Sequence, residues 1–246
     1  MSVLLEVDGL SKSFGALKAV DGVSFQLRAG EILGIAGPNG SGKSTLFNLI
    51  TNVPFSADRG RVVFDGREIQ ALRADAICRR GLARTFQRDA EFPTLSVFDN
   101  ALVGAVYGGR SAAAEAAAAS ALERAGVRRA DWSRPAAEIS TFDKKRLMIA
   151  SALAAAPKLL MLDEPASGLS PPEVSELAAL IRALNADGMS ILLIEHVLPL
   201  LLDVSERLIV LNQGRVLAAG DPDGVVADPN VVEAYLGRRG RHASAA

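Results

Sequence analysis

Near the start of the chain, Val23, Phe25 and Leu27 each precede a polar residue, the period-two pattern of a strand with one buried face. Asp8-Gly9 and Asp21-Gly22 punctuate the same stretch, so residues 4–30 read as short antiparallel strands joined at those turn signals, and residues 61–66 as a further strand and turn. At residues 31–36 the alternation gives way to a continuous apolar run, as expected of a parallel strand buried on both faces. Leu46, Phe47, Leu49 and Ile50 then recur at helical spacing. Residues 93–97 read as a loop entering a helix. Residues 111–125 are almost wholly alanine, with Glu115, Glu123 and Arg124 as their charges; alanine's propensity predicts a helix, one with little apolar surface to pack. Residues 126–137, with Trp132 and Pro135, read as a returning loop. Beyond Lys158 strand and helix alternate: a buried strand at 159–162, a helix at 172–184, a buried strand at 190–194, a hairpin over 208–217 turning at 212–214, and a last helix at 225–236. The fold class is therefore α/β, with an antiparallel layer added.

The length of 246 residues suits one large α/β domain or a core with an inserted subdomain. Hydrophobic residues at 49% and charged residues at 22% exclude a disordered chain. A net charge of −1 gives no electrostatic reason to expect nucleic acid as a partner. The single cysteine, Cys78, cannot form an internal disulfide and suits a reducing compartment as an inert thiol. Residues 1–8 lack a basic start, a long apolar region and a cleavage signal, so a cytoplasmic protein is expected. The apolar stretch at 191–200 is interrupted by Glu195, His196 and Pro199, too soon for a membrane span. Association with a membrane is expected only through a partner, and the basic tail from Arg238 reads as a frayed end.

The strand at 31–36 and the following helix enclose Gly37-Pro38-Asn39-Gly40-Ser41-Gly42-Lys43-Ser44-Thr45, a match to the phosphate-binding pattern G-x-x-x-x-G-K-[ST] at each fixed position. Its glycines let backbone N–H groups at Asn39, Gly40, Ser41 and Gly42 wrap phosphate oxygens, and the helix N-terminus adds partial positive charge. Lys43 is expected to reach the β- and γ-phosphates, Ser44 to ligate Mg²⁺, and Thr45 to bond a phosphate nearer the ribose. The plainer alternative is a glycine-rich turn capped by serine. The strand at 159–162 ends in Asp163-Glu164 and resembles a Walker B motif: Asp163 would hold Mg²⁺ through its water shell, and Glu164 would accept a proton from the attacking water. An ordinary surface carboxylate pair is the alternative there. His196 ends the next strand and would be delivered to the same carboxyl-end crevice, within reach of a γ-phosphate; a packed or solvated histidine is the commoner case. Gln87, just before the helical insertion, would touch Mg²⁺ or the attacking water. Phe14 either stacks on adenine, with Val20 packing beside it, or belongs to the sheet core.

In their order and spacing, Phe14, the phosphate loop, Gln87, Ser140, the Asp163-Glu164 pair and His196 resemble the ATP-binding subunit of an ABC transporter, over residues 3–237. Ala166-Ser167-Gly168-Leu169-Ser170-Pro171, Ile194-Glu195-His196 and Leu211-Asn212-Gln213-Gly214 narrow the likeness to the ATPases of branched-chain amino-acid importers. The resemblance implies a P-loop NTPase core with an antiparallel β subdomain and an α-helical subdomain inserted at residues 88–157, ahead of a flexible tail at 238–246. It implies Mg²⁺-dependent ATP hydrolysis energising a membrane importer. It also implies a head-to-tail pair with a second ABC ATPase, each ATP lying between one phosphate loop and the other's signature motif, on permease subunits served indirectly by a solute-binding protein. Binding closes such a pair and hydrolysis reopens it. The signature region departs from the family's Leu-Ser-Gly-Gly-Gln: the chain has Ile139-Ser140-Thr141-Phe142-Asp143. Ser140 and Asp143 keep a capping pattern, while Phe142, where glycine is usual, is expected to crowd the approach of Ser140, Thr141 and Phe142 to a γ-phosphate. That departure points to a heterodimer with unequal sites, or alternatively to a nucleotide-gated interaction module with little hydrolysis.

Overall fold

The computed structural model describes residues 2–86 and 91–236. Gln87 and the tail at 238–246 lie outside the described residues. In chain order the elements are β1 (Val3–Phe14), β2 (Leu17–Arg28), β3 (Ile32–Ala36), α1 (Lys43–Thr51), β4 (Arg59–Phe64), β5 (Arg67–Glu68), α2 (Ala74–Arg79), β6 (Leu82–Arg84), α3 (Val97–Tyr107), α4 (Ala114–Arg124), α5 (Thr141–Ala154), β7 (Leu159–Asp163), α6 (Pro171–Ala186), β8 (Ser190–Ile194), α7 (Leu198–Val204), β9 (Arg207–Asn212), β10 (Arg215–Gly220), α8 (Pro222–Val226) and α9 (Pro229–Leu236). The chain forms two compact units, one of residues 1–71 with 192–246 and one of residues 72–191.

In the first unit, β1 and β2 form one long antiparallel hairpin, with β4 on the other side of β1 and β5 beyond it. The expected turns at Asp8-Gly9 and Asp21-Gly22 are instead irregularities inside these strands. Gly9 and Gly22 take φ of 59° and 69°, and the β1–β2 register shifts between Val7 and Leu10. A left-handed glycine within a ladder makes a bulge, which twists the strand without reversing it. Leu5, Val7, Leu10, Val23, Leu27 and Val62 are buried, so the alternation did mark the packed face. A second sheet in this unit runs β10-β9-β3 with the end of β8 beside β3. The β3–β9 pair is parallel and the β9–β10 hairpin antiparallel, its turn at Gln213-Gly214 as expected. All five residues of β3 are buried, which is why it reads as an unbroken apolar run.

Two elements of this unit differ from the sequence reading. Leu198–Val204 is helical, with Pro199 tolerated because it stands in the first turn, where its missing N–H has no partner to lose. The single last helix is two, α8 and α9, parted at Ala227-Asp228, with Pro229 opening the second. Asp221 caps α8 by accepting from the amides of Asp223 and Gly224.

In the second unit, β6 and β7 pair in parallel, and α3, α4 and α5 pack on one another. The alanine-rich α4 buries Ala114, Ala118, Ala121 and Leu122, a helical stripe so thin that its partners must come close. A similar economy holds between α3 and α5, where a Cβ on Gly104 would collide with the Ser151 carbonyl. Ser96 caps α3 by accepting from the Asp99 amide, and Ser140 caps α5 by accepting from the Asp143 amide. Among the described residues, no helix is long and apolar enough to cross a membrane.

Candidate nucleotide site

Gly37 to Gly42 leave β3 and enter α1 by a backbone path that only glycine takes without strain: Gly37, Gly40 and Gly42 have φ of 149°, 76° and 106°. Sterics add a second demand. A Cβ on Gly42 would run into the Ala19 carbonyl, and one on Gly37 into the Leu211 carbonyl and the Ser41 hydroxyl. The loop is anchored from outside by the β9–β10 turn, since the Gly214 amide donates to the Ser41 carbonyl at 2.9 Å and the Gly214 carbonyl accepts from the Asp21 amide at 2.8 Å. The Lys43 ammonium donates to the Gly37 carbonyl at 2.7 Å and to the Pro38 carbonyl at 3.2 Å. A buried cation is thereby held on the loop's own carbonyls, poised for anionic oxygens that offer it more. Ser44 and Thr45 stand in the first turn of α1, half-buried, and Asn39 and Gly40 are exposed at the loop's tip. The Tyr235 phenol of α9 turns toward this loop; burial raises its pKa, and the Gly37 amide pulls the other way.

The remaining expected residues of the first unit divide. Phe14 ends β1 at 45% exposure, its ring edge-on to Phe55 with centroids 5.0 Å apart and the Lys12 ammonium 5.7 Å from each ring. A solvent-facing aromatic flanked by a cation is a surface on which a base can stack; it is not sheet core. Val20, at 1% exposure, packs inside the unit. His196 follows β8 with its side chain 49% exposed. Before it stands Glu195, fully buried, whose carboxylate accepts from the His196 and Val197 amides at 3.1 and 3.4 Å. That carboxylate orients the start of the loop carrying His196, a role the strand's apolar pattern concealed.

In the second unit β7 ends in Asp163, buried, and Glu164 follows in a left-handed conformation with φ 48°. Such a backbone is costly for a residue with a side chain and is tolerated where surroundings enforce it. Arg84 at the end of β6 donates to the Asp163 carboxylate at 2.7 Å, a contact with no motif to announce it. Beyond the pair, Ser170 and Glu173 form a capping box at the start of α6, Glu173 accepting from the Ser170 amide and hydroxyl.

The signature region behaves differently from the expectation. The Phe142 ring does not crowd the helix start: it is 6% exposed and turned into the second unit, with the Arg146 guanidinium 4.0 Å from its centroid. Position two of α5 faces inward, so a large apolar side chain is drawn into the core. Ser140 and Thr141 stay on the surface. The Ser140 hydroxyl donates to the Asp143 carboxylate at 2.7 Å, so this helix start carries its own anion.

A phosphate loop between a buried parallel strand and a helix, with a strand-end carboxylate pair, defines a nucleotide-binding α/β protein of the P-loop class. Comparison with known proteins narrows the class. A model of the ABC transporter family matches residues 20–167, and one of the branched-chain amino acid ATP-binding cassette transporter family matches residues 215–240. The high-affinity branched-chain amino acid transport ATP-binding protein LivG of Salmonella typhimurium is 40% identical over 95% of this chain and 98% of its own. BraF of Pseudomonas aeruginosa, of the same description, is 36% identical over 95% and 98%. The crystal structure of the ADP conformation of MJ1267, an ATP-binding cassette of an ABC transporter, superposes with a TM-score of 0.87 at 32% identity, covering 96% of this chain and all of that one. The chain belongs to the ABC transporter ATP-binding family, in its branched-chain amino-acid group, and is an ATPase of that type.

Proposed function

We propose that this chain hydrolyses ATP to energise a membrane importer of branched-chain or related amino acids. In this reading it sits at the cytoplasmic face of the plasma membrane through permease subunits and pairs head to tail with a second cassette. The observation that carries the reading is the phosphate loop itself, turned through positive φ at three glycines and holding a buried lysine at its mouth. The solute class rests on the relatives, which are described as branched-chain amino acid transport proteins. They lend no support to the alternative of a nucleotide-gated module with little hydrolysis.

The loop amides and Lys43 hold the β- and γ-phosphates, and Phe14 stacks on the base. Ser44 and Asp163 offer the hard oxygens that suit Mg²⁺. Mg²⁺ held there would supply neutralisation of the phosphate charge. Glu164 takes a proton from the attacking water, with His196 and Gln87 orienting that water and the γ-phosphate.

The signature region supports unequal sites in a heterodimer. It lacks the glycines, and its Ser140 hydroxyl is engaged by the Asp143 carboxylate, an anion placed where a partner's γ-phosphate would approach. Purification of the chain from membranes tests the reading. A permease and a second cassette should accompany it, and ATP turnover of the assembly should rise with a solute-loaded binding protein. Turnover by the chain alone, at two equivalent sites and indifferent to such a protein, would sink the heterodimer and the importer together.

A further inference from the structure

The ends of β6 and β7 are tied to each other more firmly than a pair of short parallel strands requires. The Thr85 amide donates to the Met161 carbonyl at 2.9 Å, and the Asp163 amide donates to the Thr85 hydroxyl at 3.3 Å. Arg84 closes the arrangement, its guanidinium 2.7 Å from the Asp163 carboxylate, with the two side chains 7% and 3% exposed. The same guanidinium lies 5.2 Å from the Phe86 ring, so its position is fixed from two sides. A fully charged arginine therefore shares, out of water, the one carboxylate assigned above to Mg²⁺. Two cations on one carboxylate oppose each other, and out of bulk water that opposition is weakly screened.

We propose that Arg84 is a positioning residue that competes with the divalent cation for Asp163, so that metal is retained only when nucleotide phosphates supply further ligands. This rests on the reading of Asp163 as a metal-binding carboxylate. The consequence is ordered loading. Without nucleotide the carboxylate is neutralised by Arg84 and the site disfavours a free ion. With phosphates present, their added charge outweighs the repulsion. Mg²⁺ sites that use one carboxylate plus substrate phosphates depend on such added oxygens. Arg84 acts through Asp163 and need not touch nucleotide.

The test is Mn²⁺ binding to the purified full-length chain, followed by electron paramagnetic resonance, with and without ATP. Arg84→Met should bind Mn²⁺ alone at least about tenfold more tightly than the unaltered chain, while Arg84→Lys, which keeps the charge, should bind as the unaltered chain does. Arg84→Met should also melt at a lower temperature than the unaltered chain, and Mn²⁺ should restore part of the loss, because a ligand bound only to the folded state stabilises it. A purely structural arginine would lower the melting temperature with no gain in Mn²⁺ affinity, and that result overturns the proposal. Arg84→Gln repeats the comparison if the methionine variant does not fold. Adding Asp163→Asn to Arg84→Met should erase the gain. A gain that survives it puts the ion elsewhere and overturns the assignment of Asp163 as well, whereas an unchanged affinity in Arg84→Met overturns only the role of Arg84.

Discussion

Phe142 offers the sharpest stability test, because its two possible orientations have opposite consequences. At 6% exposure, with Arg146 4.0 Å from the ring centre, it is a core residue. Replacing a buried phenylalanine by alanine costs about 3–5 kcal/mol. The stacked guanidinium contributes towards the lower end of about 0.5–2 kcal/mol, since Arg146 also pairs with Glu176 at 2.8 Å and keeps that partner in the variant. Phe142→Ala is therefore expected to lose about 3.5–5.5 kcal/mol, with a melting temperature lower by roughly 10–15 °C for a chain of this size. Thr141→Ala, one residue earlier on the exposed start of α5, should stay within about 0.5 kcal/mol. Urea unfolding followed by far-ultraviolet circular dichroism reads both, and ATP turnover of the assembled transporter is measured alongside. A ring that faced the nucleotide would give the reverse pattern: little loss of stability and faster turnover once the obstacle is removed. That outcome would refute the inward orientation and return Phe142 to the phosphate side.

Two further outcomes follow from the loop and the surface. Gly42→Ala meets a φ of 106° and the Ala19 carbonyl, whereas Gly40→Ala meets a φ of 76° and nothing within 4 Å; about 1–3 kcal/mol of backbone strain is common to both. Gly42→Ala should weaken ATP binding by an order of magnitude more than Gly40→Ala by titration calorimetry, and equal effects would show that the close approach is unimportant. The carboxylates of Asp21, Asp58, Asp75, Asp131 and Glu173 are held below their ordinary values by hydrogen bonds from Arg215, Lys12, Arg79, Arg134 and Ser170 respectively. Groups depressed in the folded state contribute stability that is present above their unfolded values, near pH 4, and is lost as pH falls through the folded ones. Urea midpoints should be flat near neutrality and drop below about pH 4, more gently in Asp58→Asn; a midpoint that rises on acidification would contradict this.

The phosphate loop was legible from sequence because its demands are local: φ values, a lysine and a helix start lie within nine consecutive residues. The same holds for β3, whose unbroken apolar run reflects burial on both faces, and for the cap at Ser140. What escaped depends on contacts distant in the chain. Asp8-Gly9 spells a turn, yet its glycine sits in a bulge because β1 stays paired along its length. Phe142 occupies a position where the family has glycine, and only the rotation of α5 about its axis shows that its ring leaves the helix start. Arg84 and Asp163 are separated by 79 residues and meet because β6 and β7 are neighbours, a pairing that no pattern in residues 82–86 announces. The turn at Gly214 read as a hairpin and proved also to anchor the phosphate loop.

Glu164, in its left-handed turn after β7, is the general base of the hydrolysis proposed above. Steady-state ATP turnover by the assembled transporter carrying Glu164→Gln tests it most directly. Loss of a general base predicts a fall on the order of a hundredfold or more, with ATP still bound and the paired cassettes held closed. Turnover within about twofold of the unaltered assembly, below the loss a general base implies, would contradict the claim.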